Sequence, residues 1–155
     1  MKLLNTTNMI KTKIIVLFLF VLSGNSFAQH IFPTKFSGCN TDMFSLENDT
    51  ITAVIDETKF IEAFMIHYGE GVNLIRGELM LQVLVELDGS SCLLSMENKT
   101  TVSTKKLNLK SWIDNDIKWN KPAEKVSAII KLVFTEKGIK YFRYGTGKNG
   151  WHLLK

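Results

Sequence analysis

The sequence predicts an α+β domain, a small and mostly antiparallel sheet of three to four strands with two helices packed on one face. Three observations lead there. A helical stripe of aromatic and aliphatic residues ends at Gly69. A strongly alternating stretch follows and closes in Asp88-Gly89. A second short apolar helix then precedes two more strand-like stretches. Helix, hairpin, helix and strands in that order describe one sheet with its helices on a single face.

Each element has a local cause. Asp56 is placed to cap a helix in which Phe60, Ile61, Phe64, Met65 and Tyr68 fall on one face. Gly69 and Gly71 stop it. That stripe reads as core packing. After Gly77, Leu79, Leu81, Val83, Val85 and Leu87 alternate with Glu78, Met80, Gln82, Leu84 and Glu86, the pattern of a half-buried strand. Asp88-Gly89 tolerates positive φ and signals a hairpin, with Cys92 to Met96 as the returning strand. Ser103 or Thr104 caps a short helix whose Leu109, Trp112 and Ile113 share a face, and Asp114-Asn115-Asp116 ends it. Trp119 and Pro122 sit in a loop. Ser127 to Thr135 alternates with Ala128, Ile130, Leu132 and Phe134 inward, while Ile129 and Val133 keep its other face from being fully polar. Glu136-Lys137-Gly138 turns the chain into a fourth strand, Ile139 to Tyr144.

The first 28 residues set the compartment. Lys2, Lys11 and Lys13 precede an apolar run from Ile14 to Leu22, and Ser26-Phe27-Ala28 ends the segment. That is the order of a secretory signal peptide. The run is far shorter than the roughly 20 residues a membrane-crossing helix needs. Cleavage before Gln29 is therefore expected, leaving no transmembrane anchor and placing the mature chain in the periplasm or outside the cell. The organisation read from the sequence is 1–28 signal segment, 29–50 irregular arm, 51–144 α+β domain and 145–155 tail.

Charge and chemistry narrow the function. Of 19 basic residues three lie in the signal segment, so the rest nearly balance the 15 acidic ones. No basic stripe with interleaved aromatics forms, and a nucleic-acid partner is not expected. Cys39 and Cys92 are the only cysteines, and in an oxidising compartment they can form one disulfide, the alternative being two buried thiols. His30, His67 and His152 lack metal-ligand spacing, and no nucleophile motif such as GxSxG occurs. No enzyme activity, metal or cofactor is expected. Trp119, Tyr141, Phe142, Tyr144 and Trp151 suggest an alternative, a secreted small-ligand-binding or inhibitor domain with an aromatic-lined pocket.

One segment resembles a known family. Ile75-Arg76-Gly77, the alternation through Val85, and Asp88-Gly89-Ser90 are similar to the TonB C-terminal domain family, which places a glycine before this strand and Asp-Gly-Ser at its end. Phe36-Ser37-Gly38-Cys39, the helix from Lys59 to Tyr68, and Lys118-Trp119 with Pro122-Ala123 agree with the same pattern. Three features depart from it. Tyr68-Gly69 stands where the family has Tyr-Pro, the tryptophan-proline corner is longer, and Glu124-Lys125-Val126 replaces an Asn-Gly turn. The family's proline-rich linker and uncleaved anchor have no counterpart. The resemblance implies an exported module that binds a protein partner, such as a segment of an outer-membrane receptor, by adding a strand to a sheet edge. In the family's mode that edge is the third strand, here Ile129, Lys131, Val133 and Thr135.

Overall fold

The computed structural model describes residues 30–154. The segment read as a signal peptide, Met1 to Ala28, lies outside them. The described chain is built on a seven-stranded sheet: β1 (Thr34–Lys35), β2 (Ser45–Leu46), β3 (Gly77–Val85), β4 (Ser91–Thr100), β5 (Val126–Thr135), β6 (Gly138–Gly147) and β7 (Gly150–Leu153). Helix is confined to α1 (Glu57–Tyr68), a 3₁₀ turn at Val72–Leu74, and a broken segment of α2 (Thr104–Leu107) and α3 (Leu109–Asn115). Among the described residues no helix is long and apolar enough to cross a membrane.

This corrects the expected fold class. The sheet is larger than three or four strands and dominates the molecule, with only short helices against it. The extra strands come from segments read as arm and tail. The arm supplies β1 and β2, and the tail extends β6 and adds β7. Strand order is β1-β4-β3-β5-β6-β7, and β2 pairs in parallel with the start of β5. All other pairings are antiparallel.

The helical stripe and the strand alternation build one core. Asp56 caps α1 by accepting the Lys59 N–H at 2.9 Å, and Gly69 ends it at φ 74°. Phe60 and Phe64 are fully buried, and Phe64 also meets Trp112 and Phe134. Leu79, Leu81, Val83 and Val85 on β3 join Val126, Ala128, Ile130, Leu132 and Phe134 on β5 beneath the helices. Ser103 caps α2, and Asn108 in the left-handed region breaks it from α3. Leu109, Trp112 and Ile113 then turn into the core as their spacing requires.

The second face of the sheet is covered around Gln82 and Leu84 and open toward Glu78 and Lys140. Leu84 and Gln82 on β3 are buried there, and the arm covers them. Ile31 donates its N–H to Gln82 Oε1 at 2.8 Å, and Phe32 donates to Ser95 Oγ at 3.1 Å. Gln82 also donates to Ser127 Oγ and accepts from Ser95 Oγ. Buried polar groups are costly unless paired, and here the arm's backbone helps to pair them.

The Asp88-Gly89 turn links the hairpin to the tryptophan corner. Gly89 has φ +84°, and its carbonyl accepts the Trp119 N–H at 2.9 Å. A Cβ on Gly89 would lie 2.4 Å from the Trp119 carbonyl oxygen. Glycine is required here both by φ and by close backbone approach.

Candidate functional site

Strand β5 is an inner strand, not an edge. Ile129, Lys131 and Val133 pair with Gln82, Met80 and Glu78 of β3 on one side and with Tyr144, Phe142 and Lys140 of β6 on the other. Thr135 pairs with Gly138 at the turn. Lys131 forms an ion pair with Glu78 across the strands, at 2.8 Å. An inner strand has its backbone groups committed on both sides, so Ile129, Lys131 and Val133 do not form an edge that could take up a partner strand, and Thr135 lies beyond the β3 pairing at the turn into β6. Gly138 to Tyr144 of β6 cover the other side of β5, so the strand that turns back from β5 is what removes the edge.

The open edge lies on β6. Strand β7 pairs with β6 only from Tyr144 to Gly147, and Leu154 adds one further bond to the Arg143 carbonyl at 3.0 Å. Backbone groups alternate sides along a strand, so those of Tyr141 and Ile139 face outward like that carbonyl. Among the described residues no strand pairs with this stretch on its outer side. The opposite border of the sheet is better protected. There β1, the Phe36 N–H and the Asp114 carboxylate occupy Leu93 to Met96, and the charges of Glu97 and Lys99 follow.

A groove of about 380 Å³ adjoins the Tyr141 end of the open stretch. Its walls are the segment Thr52 to Ile55 on one side and Tyr141 to Arg143 with Leu153 and Leu154 on the other. Val54 and Leu153 at the rim are each 52% exposed. The groove thus continues the lane of β7, offering outward backbone groups next to apolar side chains.

The groove lining reaches a buried ion pair. Glu47, 1% exposed, bonds to the Arg143 guanidinium and accepts the Ala53 N–H at 3.0 Å. Arg143 also donates to the Ala53 carbonyl at 3.0 Å and lies 4.9 Å from the centre of the Trp119 ring. Glu47 Oε2, Arg143 Nε and Trp119 Nε1 are buried with no hydrogen-bond partner among the described residues. Burial pushes the Glu47 carboxyl above its ordinary value, and the Arg143 charge and hydrogen bonds only partly offset this. Burial likewise lifts the Tyr141 phenol, against the pull of Arg143.

The remaining candidates are dispersed. The three histidines bond separately, His30 to the Phe36 carbonyl, His67 to the Leu107 carbonyl and His152 to Asp49. No group of three metal-ligating side chains occurs among the described residues. Of the five aromatics proposed for a pocket, only Tyr141 and Phe142 line the groove. Trp119 is buried, and Trp151 is exposed on β7. Cys39 and Cys92 form a disulfide, tying the arm to β4 and fitting an oxidising compartment.

The sequence reading missed Glu47 and Arg143. Neither belongs to a motif, and 96 residues separate them. The run Gly145 to Gly150, with three glycines and Lys148-Asn149 as the two-residue loop between the paired Gly147 and Gly150, could have revealed β7 as the return of a hairpin. Comparison with family models, curated proteins and solved structures finds no match for this chain.

Proposed function

We propose that this chain is an exported protein-binding module that captures an extended segment of a partner as an added strand beside β6. The observation that carries this reading is the open outer side of Ile139 to Tyr141, which meets at Tyr141 a groove with an apolar rim. Strand addition draws affinity from main-chain hydrogen bonds and specificity from pockets for alternate side chains. The outward backbone groups of Ile139 and Tyr141 and the apolar rim of the groove support such a mode. The resemblance of Ile75 to Ser90 to TonB C-terminal domains supports a partner in the cell envelope, such as a receptor segment in the outer membrane. The signal-like segment and the disulfide support a periplasmic or secreted location. Intact mass of the exported protein should then begin at Gln29, and a mass retaining Met1 to Ala28 would remove that part of the reading.

A photoreactive residue placed at Val54 or at Leu153 tests the binding mode in cells. Both probes should link to the same short segment of one partner, while a probe at the exposed Ile66 on α1 should not. Links confined to copies of this chain, or equal labelling from Ile66, would contradict strand capture in the groove. The small-ligand alternative has weaker support because its aromatics do not gather in one pocket.

A further inference from the structure

The disulfide has an unusual neighbour. Lys110 on α3 places Nζ 3.1 Å from Cys92 Sγ and 3.8 Å from Cys39 Sγ. The same ammonium pairs with Asp114, whose Oδ2 is 3.7 Å from Cys92 Sγ and whose Oδ1 accepts the Leu93 N–H at 2.8 Å. The cation is therefore the nearest charge to the bond, and the carboxylate that opposes it is partly satisfied by backbone. Cys39 lies in a loop whose neighbours Ser37, Gly38 and Asn40 are exposed, whereas Cys92 belongs to β4. Both cysteines are half-buried, and their sulfurs differ in the backbone that holds them and in their distance from the ammonium.

We propose that the Cys39–Cys92 bond is a site of thiol–disulfide exchange, attacked at Cys39 by a dithiol donor while Cys92 leaves as a thiolate against Lys110. In the first step the donor thiolate forms a bond to Cys39 Sγ, and the pair of electrons of the broken S–S bond goes to Cys92. In the second, the donor's other thiol, as its thiolate, displaces Cys39, which takes up a proton. The donor ends as a disulfide and this chain as a dithiol, two electrons having passed. A nearby cation lowers a thiol's pKa, and a thiol of lower pKa leaves faster. Opening the bond unties the loop between β1 and β2 from β4. This inference stands independently of strand capture.

The test is the rate at which dithiothreitol reduces the folded protein, read by alkylation and mass. Lys110→Met should slow reduction roughly three- to tenfold, and Lys110→Arg should keep most of the rate. Any loss of stability in Lys110→Met would expose the bond and speed reduction, so it cannot imitate the expected result. Glutathione, a single-thiol probe, should be trapped on Cys39. Equal rates for wild type and a Lys110→Met variant of unchanged urea midpoint, or glutathione trapped on Cys92, would overturn the proposal.

Discussion

Glu47 of the N-terminal arm and Arg143 of β6 form a buried ion pair, and Trp119 packs against the guanidinium. The pair locks three distant parts of the chain together: the arm, the last long strand and the tryptophan corner. It also underlies the groove, since both residues line it. A buried pair of this kind is costly to break by halves, because the surviving charge loses its partner.

Removing Arg143 should therefore hurt more than removing both charges. Arg143→Met is expected to cost about 3 kcal/mol in urea unfolding. Adding Glu47→Gln should recover part of that loss, because the amide leaves no buried charge. A double variant whose loss equals the sum of the two single losses would show that the residues act separately.

The Glu47 carboxyl also sets a pH dependence. Its folded pKa lies above its unfolded value, so between the two the folded chain binds the extra proton. Its contribution is fully present below the unfolded carboxylate range and is lost as pH rises through the folded value. The stability advantage of wild type over Glu47→Gln should accordingly shrink from acid toward neutral pH. Titrating urea midpoints of both proteins measures it. An advantage growing with pH would mean that Arg143 outweighs burial.

Gly89→Val should weaken folding. The φ of +84° disfavours any side chain, and a Cβ would press on the Trp119 carbonyl at 2.4 Å. The strain alone is worth about 1–3 kcal/mol. Thermal unfolding checks this, and an unchanged midpoint would argue against the close turn described here.

Val54→Lys and Leu153→Lys alter the groove rim at exposed positions. Each should change stability by no more than about 0.5 kcal/mol. Each should nevertheless abolish crosslinking of the partner segment, by placing a hydrated charge where an apolar side chain would dock. Retained crosslinking with both variants would shift attention away from this rim.

Much of the helix-and-hairpin half was legible because its signals are periodic or local. Phe60, Phe64 and Tyr68 repeat at helical spacing, Asp88-Gly89 announces its turn, and Ala128 to Phe134 alternate. What stayed hidden depends on partners far along the chain. Strands β1 and β2 are two residues each, too short for any period, and exist through pairing with Met96, Ser95, Val126 and Ser127. Apolar Ile129 and Val133 on the second face of β5 were a visible sign of an inner strand, since inner strands are covered on more sides than edges. Nothing near Glu47 marks it for burial. The groove was out of reach for the same reason, as its walls come from four separate segments.

Amide hydrogen exchange at Ile139 and Tyr141 tests strand capture most directly. A binding peptide selected from a displayed library serves as the ligand. On binding, these two outward amides should become protected together, while the amide of Ile66 on α1 exchanges as before. Binding that leaves Ile139 and Tyr141 unprotected would contradict strand addition at β6.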